Sequence, residues 1–295
     1  MTNRLLITGA SGYIGSHLLR DLLLDEFQVL AIVRPETDLS QLPSASDRFR
    51  IFIHSGQTLD MVNLIAEFRP EIVYHLAAVG GMTHETAHVD GIIRANISLG
   101  IQVLEGLVKV GGGCFINTGS FFQHFSGDTA YDPNSLYAAT KQAFQDVLVY
   151  YSRVKNIRSI TLKLFDVYGS NDSRKRLFDI LSEAQRTGCP LNMSPGQQLL
   201  DLVHVDDVVD AYRFAAKGLK EGVLRSGKDY TVSSGVQTRL REAVKLFEKV
   251  SGKPVCVRWG GRSYREREIM VPFEGEKLPG WYPKISLEQG LKGLI

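Results

Sequence analysis

Residues 5–15 read LLITGASGYIG, and this stretch decides the fold. The apolar run at 5–8 predicts a buried strand, and apolar spacing near 3.6 residues over 13–24 predicts a helix. Glycines at positions 9, 12 and 15 lie where the strand turns into the helix. The first suits a tight turn, the second lets a phosphate approach the backbone, and the third lets the helix pack against the strand.

A turn of this kind suits a dinucleotide. The N-terminus of a helix offers free N–H groups and a partial positive charge, and both favour a pyrophosphate. Three glycines alone are a weak signal, but a strand before them and a helix after them make it strong. The predicted cofactor-binding residues of the turn are Gly9, Ser11, Gly12, Tyr13, Ile14 and Gly15.

The residue at the end of the second predicted strand, 28–33, selects the cofactor. An acidic side chain there would bind the ribose 2′-hydroxyl, whereas an arginine would accommodate a 2′-phosphate. The residue at this position is Arg34, about 20 residues beyond the glycines. Arg34 favours NADP(H) over NAD(H). A ribose contact from Glu36 or Asp38 is the alternative that keeps NAD(H) open.

Short apolar runs alternate with helical patterns through the first 168 residues. Further strands are predicted at 50–53, 72–76, 115–118 and 160–165, and further helices at 59–68, 91–110 and 137–151. This alternation predicts right-handed βαβ crossovers and a parallel sheet that is covered on both faces. We therefore expect an α/β fold of the Rossmann type, with a doubly wound parallel sheet.

Beyond residue 168 the alternation loosens. Helices are predicted at 176–186, 206–217 and 240–250, with short strands and turns containing Gly and Pro between them. We expect residues 1–168 to form the dinucleotide-binding domain. Residues 169–295 should form mainly a smaller α/β substrate-binding lobe, and the chain of this lobe should partly re-enter the first domain.

The composition argues against several classes of partner. Lys and Arg total 34 and Asp and Glu total 32, so a net charge of +2 offers no basic field for nucleic acid or an anionic membrane. No run reaches the length of about 18 apolar residues that a membrane helix needs, and the N-terminus shows no leader pattern. The three cysteines have neither disulfide-framework nor metal-ligand spacing. These features predict a cytoplasmic protein without a metal.

A proton-transfer pair lies on the predicted helix at 137–151. Tyr137 and Lys141 are four residues apart and share one face of that helix. A cation close to a phenol favours the phenolate and lowers its pKa from about 10, which produces a general acid/base. The lysine can also hold a ribose hydroxyl of the cofactor.

A carbonyl substrate also needs a hydrogen-bond donor, and the fifth strand supplies two candidates. Thr118 and Ser120 are two residues apart and therefore lie on one side of the strand. Ligands of open α/β sheets bind at this carboxyl end of the strands. The alternative is that both hydroxyls satisfy local turn hydrogen bonds.

The pattern resembles the extended short-chain dehydrogenase/reductase family, in particular its sugar-nucleotide epimerase/dehydratase group. The matching segments cover almost the whole chain in the order of the family: 8–15, 75–78, 118, 137–141, 167–169, 201–207 and 280–283. The resemblance implies a catalytic triad of Thr118, Tyr137 and Lys141, with Ser120 as the alternative hydroxyl. It also implies further cofactor contacts from Leu76, Ala77, Ala78 and Asn96, the last of which supports the lysine through water.

Within this family the segment NTGSFF at 117–122 is most similar to the reductases that make CDP-abequose and CDP-paratose. Those enzymes use NADPH to reduce a 4-keto-6-deoxyhexose carried on a nucleoside diphosphate, as a step of deoxysugar biosynthesis. The resemblance implies hydride transfer to C4, protonation of the alkoxide by Tyr137, and a stabilising hydrogen bond from Thr118.

Three other functions compatible with this kind of fold are a 4,6-dehydratase, a 4-epimerase and a non-catalytic regulator. Sugar-nucleotide 4,6-dehydratases carry an Asp-Glu pair after the catalytic threonine, and Gly119-Ser120 cannot perform those proton transfers. A sugar-nucleotide 4-epimerase with retained NAD stays open. A non-catalytic dinucleotide-sensing regulator is the third interpretation, although such a protein needs no acid/base triad. The resemblance further suggests a homodimer.

The remaining candidates face the sugar or the nicotinamide. Phe165 and Asp166 lie at the end of the predicted sixth strand, and Val167 begins the family segment at 167–169; Phe165 and Val167 are expected to contact the cofactor and Asp166 the substrate. Phe121 would cover the hexose, with a place in the core as the alternative. Arg265 resembles a family arginine that binds the diphosphate, for which a guanidinium fork is well suited; a solvated charged segment is the alternative.

Overall fold

The computed structural model describes residues 3–295. Its strands are β1 (Arg4–Thr8), β2 (Gln28–Val33), β3 (Phe49–Ile53), β4 (Ile72–His75), β5 (Gly113–Ser120), β6 (Ile157–Leu164), β7 (Asp166–Tyr168), β8 (Leu191–Met193), β9 (Leu199–His204), β10 (Lys228–Val232), β11 (Gln237–Arg239) and β12 (Val257–Trp259). Its α-helices are α1 (Tyr13–Leu22), α2 (Thr58–Phe68), α3 (Val89–Ile93), α4 (Leu99–Lys109), α5 (Leu136–Val154), α6 (Leu177–Thr187), α7 (Val205–Glu221), α8 (Leu240–Ser251) and α9 (Leu287–Lys292).

A seven-stranded sheet is built in the order β10-β6-β5-β4-β1-β2-β3. The pairs β1–β2, β1–β4, β2–β3 and β4–β5 are parallel. Strands β1 and β2 are buried along almost their whole length, which explains why they read as continuous apolar runs. The expected Rossmann-type α/β fold is confirmed.

The chain divides into two compact units. The first unit contains Met1–Ser120, Ser135–Lys163 and Val209–Tyr230, and the second contains Phe121–Asn134, Leu164–Val208 and Thr231–Ile295. The chain thus crosses between the units several times. The segment Phe121–Asn134 belongs to the second unit although it lies before residue 168, and Val209–Tyr230 returns to the first unit.

The core of the first unit fills one face of the sheet. Val103, Leu104 and Leu107 of α4 pack there with Phe115 of β5 and Phe144 of α5. The sequence predicted no stretch long enough to span a membrane. Within the described residues, however, the helical stretch Thr86–Lys109 is long and apolar enough to do so. Its apolar side chains at α4 belong to this core, and core helices pass the same test.

The second unit has its own sheets and core. Strand β9 pairs parallel with β7 and antiparallel with β11, and β12 pairs parallel with β8. Helices α6 and α8 pack against each other through Phe178 and Phe247, whose rings stack with 5.9 Å between centroids. Helices α6 and α8 of this unit lie within a few residues of the predicted bounds, and so does α7, most of which belongs to the first unit.

Candidate active site

The glycine turn has a backbone that only glycine fits. Gly9 adopts φ +75°, and a Cβ atom there would lie 2.6 Å from the backbone nitrogen of Ala77. A Cβ atom on Gly15 would lie 2.0 Å from the carbonyl oxygen of Gly9. The turn therefore brings helix α1 and the segment after β4 against the end of β1, which leaves a bare backbone cradle that suits a pyrophosphate.

A buried histidine fixes the segment after β4. His75 Nδ1 lies 2.9 Å from Thr8 Oγ1, and the Ala77 amide donates to the same oxygen over 3.3 Å. Burial, and to a smaller extent Lys141, lower the pKa of His75 to about 3, so this ring is neutral at physiological pH. Sequence reasoning assigned His75 no role beyond its place in the family segment. The structure shows that it ties β1 to β4 and places residues 76–78 beside Gly9.

Asn96 connects the same segment to helix α5. It lies in a π-helical segment, Arg94–Ser98, between α3 and α4. Its Oδ1 accepts from the Val79 amide at 2.8 Å, and its Nδ2 donates to the Val79 carbonyl at 2.9 Å and to Thr140 Oγ1 at 2.8 Å. Asn96 therefore positions both the backbone after β4 and the residue next to Lys141.

Tyr137 and Lys141 occupy the first turns of α5. Ser135 caps this helix by accepting from the Ala138 amide at 3.3 Å. Lys141 is 3% exposed, and its Nζ lies 5.7 Å from the centroid of the Tyr137 ring. Burial lowers the pKa of Lys141 to about 8. The structure thus places the ammonium and the phenol side by side, within the unit that contains the glycine turn.

Thr118 and Ser120 end strand β5, and both are buried. The Thr118 hydroxyl lies 2.8 Å from the backbone carbonyl oxygen of His75. It also lies 2.6 Å from the hydroxyl of Tyr212, a residue of α7 that sequence reasoning missed. The only sequence signal for Tyr212 is an aromatic residue on the apolar face of a predicted helix, which indicates no more than packing.

Arg34 follows β2 directly and its side chain is 60% exposed. Its Nη1 lies 3.3 Å from Glu36 Oε1, and its backbone amide donates to Thr37 Oγ1. The guanidinium is accessible, and its ion-pair partner is the residue that was the alternative ribose ligand. An exposed pair of this kind contributes little to stability and leaves the arginine able to exchange partners.

The phenylalanines of the second unit form a stack. Phe121 and Phe165 are parallel with 5.2 Å between their centroids, and Phe165 stacks on Phe273 at 5.6 Å. These rings are 3–7% exposed. Burial in this cluster favours the core alternative for Phe121. Val167, in β7, is also buried.

Asp166 begins β7 and is half-buried. Burial raises its pKa to about 7; Asp201 and Glu268 add to the increase, and Arg176 and Arg174 oppose it. In the unfolded chain this group ionises near 3.8. Between about pH 4 and 7 the native state therefore holds more protons than the unfolded state, and the contribution of Asp166 to stability falls as pH rises.

Replacement of Asp166 by Asn should remove this pH-dependent penalty. We expect the Asp166→Asn variant to melt at a higher temperature than the wild type at pH 8 and at nearly the same temperature near pH 4. Thermal unfolding of both proteins across this range measures the difference. Parallel stability curves for the two proteins would show that Asp166 ionises normally in the fold.

Arg265 is half-exposed and lies close to a carboxylate. Its Nη1 is 3.9 Å from Glu268 Oε1, and its backbone amide donates to Glu268 Oε2. A second arginine of the segment, Arg267, covers the Phe125 ring at 4.0 Å and pairs with Asp132. Sequence reasoning gave Arg267 no role.

These features define a class of protein: a Rossmann-type protein that uses a nicotinamide dinucleotide and carries a tyrosine–lysine proton-transfer pair beside the dinucleotide turn. The family model of the NAD-dependent epimerase/dehydratase family matches residues 5–232. The chain belongs to this family, and the expectation of an NAD(P)-dependent enzyme is confirmed.

Individual relatives span nearly the whole chain. CDP-abequose synthase of Salmonella typhimurium is 27% identical over an alignment of 299 positions that covers 98% of this chain and 96% of the relative. UDP-glucose 4-epimerase of Mycolicibacterium smegmatis is 28% identical over an alignment of 309 positions that covers 98% of this chain and 96% of the relative. The crystal structure of UDP-glucose 4-epimerase from Thermotoga maritima with UDP-glucose superposes with a TM-score of 0.82 at 22% identity, over 98% of this chain and 96% of the other.

Proposed function

We propose that this protein is an NADP(H)-dependent reductase of the C4 ketone of a nucleoside-diphosphate 4-keto-6-deoxyhexose. The observation that carries the proposal is the buried Lys141 beside Tyr137, in the same unit as a glycine cradle for a dinucleotide. Similarity to CDP-abequose synthase over nearly the full length supports the substrate class. The residues Gly119 and Ser120 after Thr118 supply no acid/base pair for dehydration.

The proposed mechanism assigns one role to each residue of the triad. Reduced nicotinamide, when bound, supplies the hydride. Tyr137 gives its phenolic proton to the oxygen that becomes the new hydroxyl group, and the Lys141 ammonium stabilises the tyrosinate that remains. Thr118 donates a hydrogen bond to the same oxygen while negative charge develops on it. The turn at Gly9 and Gly12 would hold the pyrophosphate, Gly15 lets α1 pack against this turn, and Asn96 keeps the segment after β4 in place.

We also propose residues that contact the substrate, a cellular location and an oligomeric state. Ser120, Asp166 and Arg265 are the proposed contacts to the sugar nucleotide, whereas Phe121 is assigned to the buried phenylalanine stack. Among them, the guanidinium of Arg265 has the chemistry that a diphosphate needs. We also propose a cytoplasmic homodimer, as the resemblance to the family suggests.

A 4-epimerase that retains NAD is the second candidate. The similarity to UDP-glucose 4-epimerase of Mycolicibacterium smegmatis, at 28% identity, favours it. The same triad would serve such an enzyme, because epimerisation also requires removal and return of a hydroxyl proton. The two candidates differ in net redox chemistry, since a reductase consumes reduced cofactor and an epimerase does not.

A substrate panel separates the candidates. The purified protein is incubated with NADPH and CDP-, UDP- and dTDP-linked 4-keto-6-deoxyhexoses, and in parallel with UDP-glucose without added cofactor. We expect NADPH oxidation in one-to-one ratio with the keto sugar consumed. Conversion of UDP-glucose without net change in nicotinamide would identify the epimerase. Dinucleotide binding without turnover of any sugar would leave the regulatory interpretation.

Substitution of Arg34 tests the proposed preference for NADPH over NADH. We expect Arg34→Asp to lower the preference for NADPH over NADH by about 10- to 100-fold in kcat/KM, the range of a lost charge-assisted hydrogen bond to phosphate. Arg50→Asp is the matched control, because Arg50 is an exposed arginine of neighbouring β3 that pairs with Glu67. An unchanged NADPH preference in the Arg34 variant would refute the role of Arg34.

A further inference from the structure

Tyr212 is a fully buried phenol in contact with Thr118. Its exposed fraction is 0%, and its hydroxyl lies 2.6 Å from Thr118 Oγ1. Thr118 has a second neighbour, the carbonyl oxygen of His75, at 2.8 Å. A carbonyl oxygen only accepts, so the single hydroxyl hydrogen of Thr118 points to His75. Tyr212 must then donate its own hydrogen to Thr118.

The phenol is fixed in position and stays protonated. Its ring meets that of Tyr74 edge-on, with 6.3 Å between centroids. The next residue, Arg213, pairs with Asp21 of α1 and with Asp25, which anchors this part of α7. Burial raises the pKa of Tyr212 and outweighs the lowering effect of its hydrogen bond to Thr118. Tyr212 is therefore a hydrogen-bond donor throughout the working pH range.

We propose that Tyr212 is a positioning residue that makes Thr118 a dedicated donor to the substrate oxygen. This inference rests on the proposed function, in which Thr118 stabilises the developing alkoxide. Tyr212 donates to one of the two lone pairs of the threonine oxygen, and this fixed donation leaves the Thr118 hydrogen directed at an acceptor. When a substrate oxygen replaces the His75 carbonyl as acceptor, the donation from Tyr212 continues and polarises the Thr118 O–H bond.

The proposal predicts that Tyr212 acts only through Thr118. We expect Tyr212→Phe to lower kcat for ketone reduction roughly tenfold, the effect of one hydrogen bond felt in the transition state, with little change in the KM for NADPH. In a Thr118→Val background the same substitution should have no further effect on kcat. Tyr74→Phe is the control, a neighbouring buried tyrosine whose substitution should leave kcat unchanged.

The experiment is a double-mutant cycle of Tyr212→Phe and Thr118→Val, measured on kcat and also on the free energy of unfolding without ligands. Non-additive effects in both measurements support the proposal. An active Tyr212→Phe enzyme with wild-type kcat, or an equal loss in both Thr118 backgrounds, overturns it. Absence of turnover in the wild type would instead contradict the proposed function. The free energies of unfolding of the four proteins would still show whether the Tyr212 and Thr118 hydroxyls interact. Additive changes in these free energies would overturn that interaction as well.

Discussion

Tyr137→Phe should lower kcat by about 10³-fold, within the range of 10²–10⁴ typical of general acid/base catalysis. The variant keeps the aromatic ring next to Lys141 and removes only the oxygen that delivers the proton. Because the glycine cradle and Asn96 are untouched, the Kd for NADPH should change by no more than about twofold, as expected for a residue that acts in the transition state.

Tyr150→Phe is the control for this prediction, since Tyr150 lies on the same helix and is 50% exposed. It should have wild-type kcat. Steady-state kinetics and cofactor binding by nicotinamide fluorescence measure the two effects separately. Near-normal turnover by the Tyr137 variant would remove the phenol from the mechanism.

Lys141→Met should have two opposite effects: a loss of at least about 100-fold in kcat and a gain in stability at neutral pH. Activity falls because the ammonium that stabilises the tyrosinate is gone. Stability rises because the native fold buries a charge, and the pKa of Lys141 falls from 10.5 to about 8 as a result. A shift of this size corresponds to about 3 kcal/mol below pH 8.

The direction in which wild-type stability changes with pH follows from the number of protons that each state binds. Between about pH 8 and 10.5 the unfolded chain holds the lysine proton and the native state has released it, so wild-type stability rises with pH across this window. The Met variant should lack that rise. Denaturant unfolding at pH 7 and pH 10 measures this rise in stability. Lys155→Met is the control, because Lys155 is exposed. Equal stability of the variant and the wild type at pH 7 would show that burying Lys141 carries no penalty.

The sequence predicts the elements around the glycine turn well because local physics dictates them. The bounds of β2 match the prediction at 28–33, since a run of buried aliphatic residues ends at Arg34. Gly9 and Gly15 are where their spacing places them, because backbone geometry requires glycine at both positions. The side-by-side placement of Tyr137 and Lys141 follows from helix periodicity alone.

Other features depend on partners that are distant in sequence. The strand predicted at 160–165 corresponds to β6, which ends at Leu164, but the sequence did not predict β7, which begins at Asp166 in a different sheet. Nothing in the local pattern marks that break. The contact between Tyr212 and Thr118 joins residues 94 positions apart, and the elevated pKa of Asp166 arises from burial that only tertiary packing creates.

The most direct test of the proposed reaction follows the transferred hydride itself. NADPH with deuterium at the transferred position of the nicotinamide is incubated with the protein and a nucleoside-diphosphate 4-keto-6-deoxyhexose, and the sugar product is analysed by mass spectrometry and NMR. The proposed reaction predicts one deuterium per product molecule, located at C4, for each NADPH oxidised. A product that gains a C4 hydroxyl of changed configuration without deuterium, or unaltered keto sugar beside bound NADPH, would contradict it.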